Sequence, residues 1–318
     1  MPLVPATTEQ LDRAAALLRD GAVVAFPTET VYGLGANAFD TRAVARIFEI
    51  KARPAFDPLI VHIDGDAMLE RVAASVPPSA RALMEVFWPG PLTIVLRKRS
   101  EIPDLVTAGL STVAVRMPAH PVARALIERA AVPLAAPSAN PFGYLSPTRA
   151  EHVVRMLGER IDLIVDGGPT EHGVESTIVM IEPRPTLLRH GAIPAAAIEA
   201  VVGSLERELS DDARPLAPGS LPQHYAPHTP VRIVDVPAHV PEAERTGAAL
   251  LAFRESVPGY RAVRVLSTNG DLREAAAHLF EYLHELDRLG AERIDAERVP
   301  PEGIGVAIMD RLQRAGRT

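Results

Sequence analysis

Directly after the apolar run AVVAF (22–26), the stretch PTETVYGLG places Thr28, Glu29, Thr30 and Tyr32 ahead of two glycines. Hydroxyls gathered behind a buried strand suit a small polar ligand, because α/β sheets bind ligands at the carboxyl ends of their strands. The GLG pair also fits a plain turn, and it lacks the spacing of a dinucleotide or P-loop fingerprint. Lys51 is one of only two lysines, with Lys98, in a chain that otherwise uses arginine. Beside Arg53 in KARP it fits a compact ammonium aimed at phosphate oxygens, or else a solvated helix end. Arg116 interrupts the apolar alternation of TVAVRM and needs an anionic partner, which is either a protein carboxylate or a substrate carboxylate. His62 in LIVHI is either a hydrogen-bonded strand residue or part of a site. The other histidines show no metal-ligand spacing, and HExxH is absent.

These residues must be positioned by alternating strands and helices. Strands are expected at 22–26, 59–63 (LIVHI), 92–97 (LTIVLR), 112–117 (TVAVRM), 132–136 (VPLAA), 162–166 (DLIVD) and 176–181 (STIVMI). TTEQLDRAAALLRDG reads as a helix capped by Thr7 with Gln10, and Leu11, Ala14, Ala15 and Leu18 share one face. DTRAVARIFEIK, HPVARALIERA and SPTRAEHVVRMLG follow as helices, giving a large α/β unit over 1–202. Residues 203–230 lose apolar periodicity, gather five prolines and read as an extended linker. Over 231–318, VRIVDV, GAALLAF and AVRVL are short strands and DLREAAAHLFEYLHELDRLG is an amphipathic helix, which makes a smaller α/β unit.

The composition narrows the chemistry. With 318 residues, 47% hydrophobic and 23% charged, the chain has material for real cores. It has no cysteine, so disulfides, thiolate catalysis and cysteine-zinc sites are excluded. No signal-peptide pattern and no apolar run long enough for a bilayer are seen, so a cytoplasmic address is expected. The net charge of -7 is spread evenly: 19 cations face 22 acids in residues 1–200, and 14 face 18 in the rest. Neither part is built to grip nucleic acid by charge.

FPTETVYGLGANA, KARPAFDPLIVHI, APSANPFGYLSPT, GVESTIV and LRHGAI, in that order, closely resemble the signature blocks of the YrdC-like family of threonylcarbamoyl-AMP synthases over roughly residues 7–200. The HYAP linker and the small unit after it resemble the long, two-domain form. The resemblance implies a YrdC-like twisted mixed sheet with flanking helices, followed by a smaller Rossmann-like α/β unit. It further implies a reaction that joins L-threonine, bicarbonate or CO2, and ATP into threonylcarbamoyl-AMP with loss of pyrophosphate. The product would pass to a separate tRNA threonylcarbamoyl-transferase complex that modifies the position next to the anticodon. A non-enzymatic RNA-binding or ribosome-maturation module is the alternative, marked by a basic concave face; a carbamoyl-phosphate-using transferase would carry further modules.

By the same resemblance Thr30, His62, Arg116, Ala136 and Ser176 would hold threonine. Lys51, Arg53, Asp57, Thr112, Ser138, Asn140, Ser146 and Arg189 would hold ATP with Mg2+, and Lys51 and Arg53 would be catalytic. In two-domain relatives the linker reaches the active site, so His224 and Tyr225 are expected to close over the nucleotide. Two positions depart from the pattern. Asp57 stands where the family block has asparagine, which leaves it to meet Mg2+, Lys51 or Arg53, and Phe142-Gly143 replaces a Ser-Gly pair.

Overall fold

Short β-branched and aliphatic runs with no polar face suit strands covered on both sides, and every such run named above contains one in the computed structural model, which describes residues 3–207, 216–218 and 225–317. The strands are β1 (Leu3–Pro5), β2 (Val24–Pro27), β3 (Tyr32–Asn37), β4 (Ile60–His62), β5 (Leu92–Arg97), β6 (Thr112–Arg116), β7 (Leu134–Ala135), β8 (Leu163–Asp166), β9 (Thr177–Met180), β10 (Thr186–Arg189) and β11 (Glu206–Arg207). They form one mixed sheet in the order β1-β8-β2-β3-β7-β4-β6-β5-β9-β10-β11. The first residues of the expected linker therefore extend the sheet, since Glu206 pairs with Thr186.

The turn reading of the GLG pair does not hold: YGLGAN is β3, antiparallel to β2 with Val24 opposite Gly35. Its glycines make room for a ring. A Cβ on Gly35 would stand 2.5 Å from Phe26 Cε1, and one on Gly33 would meet Ala136 and Phe26 at 3.5 and 3.6 Å. Glycine in a strand interior marks such close approach rather than a bend.

The first helix is Thr8–Arg19, with Thr7 Oγ1 accepting from the Gln10 amide at 3.3 Å and the four expected residues buried. Asp40 caps the helix Thr41–Lys51 through the amides of Arg42 and Ala43, and Ala52 ends it in the left-handed region with φ 50. Lys51 is thus the last helical residue. It dips under the loop after β7 and is 2% exposed, so the solvated helix end is ruled out.

A second sheet, all parallel, runs β12-β15-β13-β14 from β12 (Val231–Val234), β13 (Ala248–Ala252), β14 (Ala262–Val265) and β15 (Arg293–Glu297). β15 has no apolar run to announce it, because its buried Asp295 is held by Arg232 and Arg293 at 2.8 and 3.0 Å. The helices Leu272–Asp287 and Gly305–Ala315 cover this sheet, and their core continues into Val31, Leu145 and Val174 of the larger unit. Among the described residues no helix is long and apolar enough to cross a membrane.

Candidate active site

Parallel pairing of β4 with β6 places His62 opposite Arg116 at the strands' carboxyl ends. Thr28 and Thr30 follow β2, Ala136 to Ser138 follow β7, Ser176 precedes β9 and Arg189 ends β10. All of them, with Arg53, Glu175, Pro218 and Tyr225, line one cavity of about 50 Å³.

At one end Arg116 is fixed from several sides. Its Nη2 lies 2.6 Å from Glu29 Oε1, its Nη1 donates to Thr30 Oγ1 at 2.9 Å and its Nε to Gly90 O at 3.3 Å. The protein carboxylate left open by the sequence is thus Glu29. Burial pushes the Glu29 carboxyl up, but the charge and hydrogen bond of Arg116 hold it down at about 2. The hydroxyls supply a directed chain: Thr28 Oγ1 donates to Val31 O at 2.6 Å, so the 2.8 Å contact between the two threonines leaves Thr30 donating to Thr28 and accepting from Arg116. His62 is 3% exposed, and its Nδ1 has no hydrogen-bond partner among the described residues. Burial and the nearby Arg116 lower its pKa to about 3, which keeps the imidazole neutral at ordinary pH.

At the other end three cations converge. Lys51 Nζ donates to Ser138 O at 2.6 Å and Asn140 O at 2.5 Å, tying the helix end to the SAN loop. Burial, then Arg53, depresses the Lys51 ammonium well below its usual value. Arg53 pairs with Asp57 at 2.8 Å and lies 5.8 Å from the Phe142 ring centroid. Of the partners open to Asp57, the structure therefore shows Arg53. Burial raises the Asp57 carboxyl, against the pull of Arg53, Lys51 and Arg189. Arg189 donates to Ser176 O at 3.1 Å, to Ser176 Oγ at 3.0 Å and to Pro218 O at 3.1 Å, which fastens a piece of the linker over the cavity. Ser176 Oγ also meets Thr93 Oγ1 at 2.7 Å.

The smaller unit reaches the same place. Arg311, 1% exposed, donates to Glu175 Oε2 at 3.0 Å and to His190 O at 2.6 Å, and lies 5.1 Å from the Tyr225 ring centroid. Ser146 Oγ donates to Glu175 Oε1 at 2.5 Å. Tyr225 takes φ 62 and packs against Phe280, with ring centroids 5.7 Å apart.

Of the expected residues, Thr30, Arg53, His62, Arg116, Ala136, Ser138, Ser176, Arg189 and Tyr225 line the cavity, and Lys51, Asp57, Asn140 and Ser146 stand behind its wall. Thr112 is not brought there. It shares the face of β6 that carries Arg116, yet starts the strand that Arg116 ends, and lines a separate groove with Val95 and Met180. His224 lies outside the described residues. Sequence reasoning gave Glu29 and Glu175 no role, although Glu29 lies between Thr28 and Thr30 and Glu175 directly precedes Ser176, each beside a buried strand. It also missed Arg311, whose signal was a cation on the apolar stripe of Ala307, Ile308, Leu312 and Ala315.

Two family models match the chain: one described as "Telomere recombination" over residues 16–191, and one described as "Threonylcarbamoyl-AMP synthase, C-terminal domain" over 193–316. The threonylcarbamoyl-AMP synthase of Pyrococcus abyssi is 46% identical, over 95% of this chain and 92% of its own length. That of Bacillus subtilis is also 46% identical, over 96% and 92%. The crystal structure of P. abyssi Sua5 complexed with L-threonine superimposes with a TM-score of 0.94 at 40% identity, over 99% of this chain and 98% of that one. Matched over both of its sheets and nearly its whole length, the chain belongs to the two-domain threonylcarbamoyl-AMP synthases.

Proposed function

We propose that the cavity joins L-threonine, bicarbonate or CO2, and ATP into threonylcarbamoyl-AMP, releasing pyrophosphate, and water where bicarbonate is the carbon source, as the first step of tRNA threonylcarbamoylation. The observation that carries this is a single cavity with an ordered end, Arg116 with Thr30, suited to a carboxylate and set against a cationic end that Arg53 and Arg189 line with Lys51 behind them. Arg116 takes the threonine carboxylate beside Glu29, and the neutral His62 and Ser176 orient the amino acid. The threonine nitrogen attacks the carbon of CO2 and loses a proton, or attacks bicarbonate, where the carbon–hydroxyl bond breaks and the hydroxyl leaves with that proton as water. The new carboxylate oxygen then attacks the α-phosphorus while the bond to pyrophosphate breaks. No side chain is a nucleophile, so positioning and charge neutralisation carry the rate. Ser138, Asn140 and Ser146 fix the loops around the nucleotide.

Mg2+ fits as a companion of the nucleotide. Among the described residues no three acids or histidines cluster to hold a resident metal, and one carboxylate plus phosphates is the usual magnesium set. It would neutralise charge on the phosphates. The cavity is far smaller than the ~300–1,000 Å³ of pockets for drug-sized ligands, so the linker cover of Pro218 and Tyr225 lifts to admit ATP and closes over it. The product is handed to a separate transferase complex.

Pyrophosphate release should require threonine, bicarbonate and ATP together. Valine should be a far worse substrate than serine, since losing a hydrogen-bonded hydroxyl costs about 10⁴–10⁵ and losing a methyl about 10–200. Equal rates with valine and serine, or release without bicarbonate, would refute the assignment.

A further inference from the structure

Asp57 is 0% exposed and sits within the cation group assigned to the phosphates. Its Oδ2 pairs with Arg53 at 2.8 Å, and its Oδ1 is buried with no hydrogen-bond partner among the described residues. Arg53 also spends Nε on Asp57 O at 3.1 Å and Nη2 on Pro58 O at 2.8 Å. That leaves Nη1 as the guanidinium group with no protein acceptor among the described residues. A site built only to grip polyphosphate would have no use for a fixed anion among its cations, because like charges at short range in a poorly solvated site repel.

We propose that Asp57 sets the phosphate affinity of this site: it is a built-in anion that shares Arg53 with the bound polyphosphate, weakens the hold on ATP and pyrophosphate, and so speeds pyrophosphate release. The carboxylate is buried and part of the chain, so phosphate cannot displace it. Pyrophosphate, carrying its full charge at the cationic end, is repelled more than threonine at the Arg116 end. Asp57 acts through Arg53 and is a positioning residue, and the inference rests on the placement of phosphates against Lys51, Arg53 and Arg189.

The test uses the full chain with saturating Mg2+, and reads pyrophosphate affinity by calorimetry together with pyrophosphate inhibition of turnover. Asp57→Asn keeps the shape and can turn its amide oxygen to accept from Arg53 but removes the charge. Its pyrophosphate Kd and inhibition constant should fall about tenfold, the ATP KM should fall with them, and the threonine KM should stay unchanged. Asp57→Ser, smaller and neutral, should tighten pyrophosphate in the same direction and serves where the asparagine variant does not fold. Unchanged or weaker pyrophosphate binding in a folded neutral variant overturns the proposal, and a variant that needs more Mg2+ than the wild type for half-maximal turnover would make Asp57 a metal ligand instead. If Lys51→Ala binds pyrophosphate as the wild type does, the phosphate placement itself fails and takes the inference with it.

Discussion

Lys51 can give only three hydrogen bonds, and two already go to the carbonyls of Ser138 and Asn140. The third is the one a phosphate oxygen would accept, so the side chain that orders the SAN loop would also serve the proposed nucleotide. Lys51→Ala should cut pyrophosphate release by about 10²–10³, the usual loss when one preorganised charge contact is removed. Steady-state turnover within a few-fold of wild type would refute the role. At this scale the sequence announced chemistry by residue type, as with a rare lysine beside Arg53 or an arginine inside an apolar strand. It could not say which carboxylate faced which cation. Glu29 and Arg116 are far apart in the chain, and their 2.6 Å contact exists only in the fold, where the loop after β2 meets the last residue of β6.

Strands with a clean apolar run were legible because such runs were short, β-branched and bounded by turn residues. β3 was hidden because its two glycines read as a turn, although they are where the Phe26 ring crosses the strand. The same fact gives the element a sharp test. Gly35→Ala puts a methyl 2.5 Å from Phe26 Cε1, so the ring must shift within a close-packed core, at about 1–3 kcal/mol. Phe26 stands edge-on to His62, with centroids 6.4 Å apart, so the displaced ring disturbs the threonine end first. Urea unfolding should show that loss, and the threonine KM should rise more than the ATP KM. A Gly35→Ala protein as stable as wild type would mean that the ring moves freely. β15 escaped notice for the opposite reason: its buried Asp295 is neutralised by arginines that no local pattern connects to it.

The molecule as a whole is joined where the chemistry is expected. The buried residues of the larger unit's core span 11–198, and beyond Ala200 only the partly buried Val201, Val202 and Leu205 pack against them, so a chain cut there keeps nearly all of that core and should fold. The second core does not divide so cleanly, because Val31, Leu145 and Val174 are buried under the smaller unit, and Glu175 faces Arg311 across the boundary. Exposing those three side chains should cost about 1.5–3 kcal/mol each, read as a lower urea midpoint. Losing Arg311 frees Glu175, which holds Ser146, while losing Pro218 and Tyr225 uncovers the cavity. Water then reaches a labile mixed anhydride that a closed site would protect. The truncated chain, and Tyr225→Ala in the full one, should therefore bind ATP more weakly and yield less intact threonylcarbamoyl-AMP per pyrophosphate released. Tyr225→Ala separates the cover from the scaffold, since it leaves the ion pair between Arg311 and Glu175 in place. If both proteins match the full chain in ATP affinity and in product yield, Pro218 and Tyr225 are part of a spacer, and closure over the nucleotide plays no part in the reaction.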